Sequence, residues 1–289
     1  MTKKPKQIII VGLGLVGGSL AAACRKAFPK AKIIGVTRSR TAINKAKKKR
    51  WIHKGFQDLE KAFAETAPLQ FVVLCTPVDT LKGFLKRLDR IAPAGTVVSD
   101  AGSVKGFIVR WADKQNWRRI KFVGAHPMAG SHEQGINAAD PGLFADSFTY
   151  VTPSGKTSRS ALQLIKNFWR RISDRVIVIS PEKHDRITAE ISHAPHLLAS
   201  LLVNSVSKKY LSFAGTGFLD TTRVAQGEPG LWAPIFLENR REVLRILRSI
   251  ETAMKGFKGR LSRGAYPLIR QVLSRAQKRR TGMRINGPQ

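Results

Sequence analysis

The chain has 289 residues, with 51 Lys and Arg against 19 Asp and Glu, a net charge of +32 and 43% hydrophobic residues. That length supports more than one domain with a real core, and that apolar content excludes a disordered polyelectrolyte. No uninterrupted apolar run reaches the roughly 18 residues of a membrane span, and the opening MTKKPKQ lacks the apolar core of a secretory leader, so a cytoplasmic protein without a membrane partner is expected.

So large a positive charge draws anionic ligands and any polyanion at low salt. Zinc-finger spacing, an RRM-type aromatic motif and a basic zipper are all absent, so no specific nucleic acid partner is expected. Cys24 and Cys75 are the only cysteines, and both fall in apolar contexts that read as reduced, buried thiols.

A strand over 8–11 runs into Gly12-x-Gly14-x-x-Gly17 and an alanine-rich helix over 14–28. In that context the three glycines have separate tasks. Gly12 permits a tight turn, Gly14 lets backbone N–H groups approach a pyrophosphate, and Gly17 lets helix and strand pack closely. Gly12, Leu13, Gly14, Leu15, Val16 and Gly17 are therefore candidate cofactor contacts. The next strand, 32–37, ends in IIGVTRSR. An NAD site usually places an acidic residue there to hold the ribose hydroxyls. Here Thr37, Arg38, Ser39 and Arg40 offer hydroxyls and guanidiniums, which suit a 2′-phosphate, so NADP is favoured over NAD.

Helices over 40–49, 78–90, 104–115 and 157–171 then alternate with strands over 70–75, 95–99, 121–124, 148–152 and 175–179. The alternation predicts an α/β fold with a doubly wound, mostly parallel sheet. From Ser180 the β signal stops. SPEKHDR supplies an N-cap and first turn, and helical periodicity continues to about 206, then over 232–256 and 266–280. The expected organisation is a dinucleotide-binding (Rossmann) domain over 1–179 and an all-helical domain over 180–289.

Five of the six histidines, His126, His132, His184, His193 and His196, crowd into one part of the chain. Their spacing matches no zinc pattern and no Cys lies near, so no metal is expected. GAHPMAGSHEQG follows a strand and puts His126 at the carboxyl edge of the sheet, where a nicotinamide would lie. DAGSVKG places Ser103 at the same edge. A neutral imidazole there can take the hydroxyl proton as an alcohol is oxidised, and Ser103 can hydrogen-bond the same hydroxyl.

The ordered series VGLGLVGGSLA, TPV, DAGSVKG, HPMAGS, SPEKHDR, SHAPHLLA, GFLDTTRVA and ENRREVL resembles the prephenate/arogenate dehydrogenases of tyrosine biosynthesis over nearly the whole chain. The resemblance implies oxidative decarboxylation of a small anionic cyclohexadienyl substrate, with His126 and Ser103 catalytic. It implies that Arg223 binds a substrate carboxylate, that Ser192 and His196 border the substrate, and that Thr76 and Pro77 touch the cofactor. His184 and Asp185 look like a second, structural pair near the cleft, and Arg240 is a weaker substrate contact. The helical domain would form a homodimer. Many members carry an acidic residue after HPMAGS; here His132 follows Ser131, beside the expected substrate side chain. The AGS-x-x-QGI form and the VTRSR loop together look more like the NADP-linked arogenate type. The rival readings are another Rossmann dehydrogenase of the 3-hydroxyacid or pyrroline-carboxylate type, and a basic nucleic-acid-binding protein without activity.

Overall fold

The computed structural model describes residues 5–63, 70–131 and 133–283. They form two compact units, 1–239 and 240–289. The first holds an eight-stranded sheet: β1 (Gln7–Val11), β2 (Lys32–Val36), β3 (Lys54–Phe56), β4 (Gln70–Leu74), β5 (Thr96–Asp100), β6 (Ile120–Pro127), β7 (Phe148–Thr152) and β8 (Arg175–Val178). Their order is β3-β2-β1-β4-β5-β6-β7-β8. Every neighbouring pair is parallel except β6 with β7.

The helices of this unit are α1 (Leu15–Ala27), α2 (Arg40–Lys48), α3 (Leu59–Phe63), α4 (Leu81–Ile91), α5 (Gly106–Asp113), α6 (Arg159–Trp169), α7 (Pro181–Thr188), α8 (Ala194–Ser205), α9 (Thr216–Thr222) and α10 (Pro229–Glu238). Strand periodicity explains the layers. Ile8 and Ile10 of β1 point into a core with Leu20, Cys24, Phe168 and Trp169 of α1 and α6. Ile9 and Val11 point the other way, toward Leu81, Leu85 and Leu88 of α4 and Ile108 of α5. With both faces covered, the strands read as continuous apolar runs. Cys24 and Cys75 are free thiols.

The sheet matches the expected strands with one addition. β3 and the short α3 have no pattern of their own in the sequence; β3 exists because it pairs with β2, and Thr37 N–H donates to the Phe56 carbonyl at 3.0 Å. Beyond Ser180 the expected helix is interrupted. A π-helical turn over Ala189–His193 separates α7 from α8. Pro195 explains it: a proline has no N–H to donate and its ring crowds the carbonyl four residues back, so the ladder widens by one residue. The helix expected over 232–256 is likewise two, because Asn239 at the end of α10 is buried and its side chain bonds the Asp185 carbonyl at 2.9 Å instead of facing solvent.

The second unit holds two helices, α11 (Arg240–Ser262) and α12 (Tyr266–Thr281), which contact each other and are joined by a turn at Gly264, whose φ is +59°. Leu244, Met254, Leu261, Tyr266, Leu268 and Leu273 are exposed on it. Among the described residues no helix is long and apolar enough to cross a membrane.

Candidate active site

The carboxyl ends of β1, β4, β5 and β6 share one edge of the sheet, and β1 lies between β2 and β4, where the winding reverses. Such a crevice is where open α/β sheets bind ligands. The glycine loop at the end of β1 fits a dinucleotide. Gly12 has φ +94°, and a Cβ there would meet the Cys75 carbonyl oxygen at 2.4 Å. A Cβ on Gly17 would meet the Gly12 carbonyl oxygen at 1.7 Å, so α1 can approach β1 only with glycine there. A Cβ on Gly14 would meet nothing within 4 Å. Its bareness therefore serves no internal packing, and it opens α1 with no side-chain cap on the first N–H groups. Those unpaired donors and the helix dipole suit a pyrophosphate. Leu13 is buried in the core, so only its backbone can face a ligand, whereas Leu15 and Val16 are half-buried at the start of α1.

Around this loop, the Thr76 methyl lies 3.1 Å from where a Gly12 Cβ would be, and Thr76 Oγ1 accepts from the Thr80 hydroxyl at 2.8 Å. Pro77 beside it is exposed. At the end of β2, Ser39 caps α2 by accepting from Ala42 N–H at 3.1 Å, while Arg38 and Arg40 extend into solvent and Thr37 is half-buried.

A chain of hydrogen bonds fills the other end of the edge. His126, near the end of β6, has Nδ1 at 2.8 Å from His184 Nε2, and His184 Nδ1 is 2.8 Å from Asp185 Oδ1. Asp185 is fixed in turn by the start of α5, whose Lys105 and Gly106 N–H groups donate to Oδ1 and Oδ2 at 2.7 and 2.8 Å. Three donors converge on that carboxyl, so it is the acceptor throughout. His184 must then carry its proton on Nδ1, accept at Nε2, and receive the Nδ1 proton of His126. His126 Nε2 is left with its lone pair, and among the described residues it has no partner. Ser103 is half-buried in the loop between β5 and α5, on the same edge.

Beneath these rings lies a buried cation. The Lys105 side chain is fully buried, ion-paired through Nζ with Asp100 Oδ2, and donates to the Ala125 carbonyl at 2.9 Å. Asp100 also accepts from Ala125 N–H at 3.2 Å and Gly102 N–H at 3.0 Å. Both backbone polar groups of Ala125, the residue before His126, are thus held. Burial pushes Asp100 up and Lys105 down in pKa, and their contact opposes both shifts.

Farther along, His196 of α8 stacks on Trp232 of α10, with ring centroids 3.6 Å apart and planes 17° from parallel. The turn Arg223–Gln226 packs against α8, and at Gly227 a Cβ would meet Trp232 Nε1 at 2.5 Å and His196 Cε1 at 2.6 Å. Arg223 itself is exposed at the start of that turn; Ser192 is half-buried in the π turn. His193 Nδ1 accepts from Asn239 Nδ2 at 3.1 Å, which puts its proton on a buried Nε2.

These imidazoles are held neutral. Burial lowers His126 well below the usual histidine range, helped by His184, Lys105 and His193; burial followed by Lys105 and His193 does the same for His184. Burial takes His193 down to about 4, against the opposing pull of Asp185. In the unfolded chain each would bind a proton near 6.5, so between that value and the folded one the unfolded state holds more protons, and stability falls as pH falls. From pH 7 to pH 5 His193 alone removes about 2 kcal/mol, a melting-temperature drop of about 4–8 °C. A melting temperature that stays level across that interval in thermal denaturation would contradict the buried neutral assignment.

Residues 20–178 match the family description "Prephenate dehydrogenase, nucleotide-binding domain", and residues 180–275 match "Prephenate dehydrogenase, dimerization domain". A prephenate dehydrogenase of Bacillus subtilis is 35% identical over 254 residues, 84% of this chain and 67% of that protein. The chain belongs to the prephenate dehydrogenase family. A crystal structure of the A. aeolicus prephenate dehydrogenase in complex with hydroxyphenyl propionate and NAD+ has a TM-score of 0.89 at 31% identity, covering 97% of this chain and 99% of that one. The Synechocystis arogenate dehydrogenase has a TM-score of 0.79 at 27% identity, over 95% and 99% of the two chains. Membership makes the chain a nicotinamide-dependent oxidoreductase and sets aside both the other Rossmann dehydrogenases and an inactive nucleic-acid binder.

Within this family member, some expected contacts carry no geometry of the site. His132 lies outside the described residues. Ser131 is exposed, with its Oγ accepting from Glu133 N–H at 2.9 Å. Arg240 opens α11 in the second unit, exposed. Sequence reasoning missed Asp100, Lys105 and Asn239. The signal for the first two was an Asp closing the apolar strand TVVSD with a Lys five residues later, a spacing that lets a buried pair form across the strand-to-helix turn.

Proposed function

We propose that this prephenate/arogenate dehydrogenase favours arogenate over prephenate and NADP over NAD, with His126 as the base and Ser103 orienting the substrate hydroxyl. One observation carries the roles: at the ligand-binding edge of the sheet, His126 has its Nδ1 committed and its Nε2 open. A bound nicotinamide supplies the acceptor for the hydride leaving the ring carbon. As that carbon is oxidised, the hydroxyl O–H bond breaks and its proton moves to His126 Nε2, while the oxygen's electron pair makes the carbonyl. The ring carboxylate then departs as CO2, its bonding pair closes the aromatic ring, and the proton held at Nε2 returns to the oxygen.

Arg223 supplies a guanidinium for a substrate carboxylate, with Ser192, His196, Ser131, His132 and Arg240 as further contacts. Interactions equal in the ground and transition states lower KM without raising kcat, so Arg223 governs KM and His126 governs kcat. Residues 1–179 would hold the nucleotide. Residues 180–289 would carry the substrate and a homodimer contact, which the match to a dimerization domain and exposed Leu198, Leu201 and Leu202 on α8 support.

Arg38 and Arg40 follow closely on the end of β2, and no carboxylate stands at Thr37 to repel a 2′-phosphate. NADP should bind more tightly than NAD. Replacing both arginines by Ala should weaken NADP by roughly tenfold or more, and NAD hardly at all, since a charge-assisted hydrogen bond to phosphate is worth about 1.5–3 kcal/mol. Reduced-nicotinamide formation with prephenate or arogenate, against NAD or NADP, tests both preferences in one experiment. Equal turnover with the two cofactors, or turnover confined to prephenate, overturns the respective half.

A further inference from the structure

We infer that His184 and Asp185 are positioning residues for the reaction: through two successive ring hydrogen bonds they decide which nitrogen of His126 carries its proton, and the first turn of α5 holds them in place. The inference deepens the proposed function and rests on His126 being the base.

A structural staple between α7 and α5 needs only the carboxylate. Asp185 already accepts both α5 N–H groups, and Arg110 of α5 reaches Glu182 of α7 at 3.2 Å. His184 is superfluous to that staple, yet it is fully buried with both ring nitrogens engaged, one on a carboxylate and one on His126. Its ring cannot turn freely. Tyr150 of β7 packs edge-on against it at 5.3 Å, and His126 stands against another edge at 5.1 Å.

An imidazole without such a partner populates both tautomers, and only the one with a bare Nε2 can accept a substrate proton. The chain from Asp185 permits only that one. It also serves the step itself. When the hydroxyl O–H bond breaks and Nε2–H forms, His126 becomes an imidazolium whose Nδ1–H still points at a neutral acceptor backed by a negative charge. The proton returns to the oxygen from the same nitrogen, so none has to leave the pair. The other ionisable groups around the rings are Lys105 just before α5, Asp100 of β5, Tyr150 of β7 and His193 of the π turn. Of these, Lys105 and His193 act on both imidazoles, lowering them.

The test uses the full chain with 15N-labelled histidine. In the wild type, the His126 resonances, assigned by their loss in His126→Asn, should report a proton on Nδ1. Asp185→Asn removes the charge and leaves one acceptor oxygen for three donors, so His184 Nδ1 is no longer held as a donor and His126 is no longer confined to the tautomer with a bare Nε2. kcat should then fall about a hundredfold, with KM and cofactor affinity within about threefold. His184→Phe, which keeps bulk and removes the acceptor, should fall similarly. His184→Gln can still accept from His126 and should recover to within about tenfold of the wild type. A wild-type His126 protonated on Nε2, or near-wild-type kcat in both Asp185→Asn and His184→Phe, overturns the inference. Should Asp185→Asn fail to fold, the wild-type tautomer and the contrast between Phe and Gln at 184 still decide it. Full turnover in His126→Asn would instead remove the base assignment, and the ring tautomers would still report whether the chain sets them.

Discussion

Replacing His126 by Asn should lower kcat by about 10²–10⁴-fold with either cyclohexadienyl substrate, the range expected when a positioned general base is removed. Asn is short enough to fit the same strand position between the held Ala125 peptide and Tyr150, and its amide can still donate toward His184 Nε2. The fold and the glycine loop should survive, so cofactor affinity and KM should change little. The chemistry that disappears is specific to the second ring nitrogen, which the shorter side chain does not reproduce. The pH profile gives an independent reading. A base works when deprotonated, and burial with the nearby Lys105 charge lowers His126, so the acid limb of wild-type kcat/KM should lie below the 6.5 of an ordinary histidine. That limb should vanish in His126→Asn. Steady-state assays of reduced nicotinamide across pH check both statements, and undiminished turnover in the variant would remove His126 from the mechanism.

The parts of this protein that could be read from its sequence are those set by local pattern. The strand, Gly12-x-Gly14-x-x-Gly17 and helix announced themselves because the pattern is local: Gly12 and Gly17 each answer a steric demand, as their distances show, while Gly14 meets none within the protein. The alternation of apolar runs gave the layers because a sheet covered on both faces needs continuous apolar strands. β3 was invisible, since Lys-Gly-Phe has no signature and forms a strand only by pairing with β2. His126 and Ser103 could be placed at one edge because a strand's end fixes where its loop emerges.

What holds His126 could not be placed in this way. Asp185 lies 59 residues beyond it, and its role depends on α7 packing across the first turn of α5. The sequence places His184 and Asp185 near the cleft as a structural pair, whereas in the structure His184 contacts His126 directly. Lys105 was passed over because a lysine in a basic chain is expected in water, and only the burial of Asp100 at the end of β5 explains why this one is not. Asn239 was passed over because a helical pattern ran through it.

Replacing Lys105 by Met should destabilise the protein by about 3–5 kcal/mol, the usual cost of leaving one member of a buried ion pair without the other. The methionine fills most of the space, so the loss is electrostatic rather than a cavity. Asp100 has no exposure to water through which to recover its hydration. It would keep the N–H groups of Gly102 and Ala125, but the Ala125 carbonyl would lose its donor. Adding Asp100→Asn to Lys105→Met should recover part of the loss, because a neutral amide no longer buries a charge and its one carbonyl oxygen can still accept from either Gly102 or Ala125 N–H. Urea denaturation of the two single variants and the double one measures this coupling, and additive losses would show that the two groups do not act as a pair. Whatever stability the double variant regains, its turnover should stay low. The Lys105 ammonium anchors the peptide that leads into His126, while its backbone N–H anchors the carboxylate at the far end of the histidine chain. A methionine keeps the second of these contacts and loses the first.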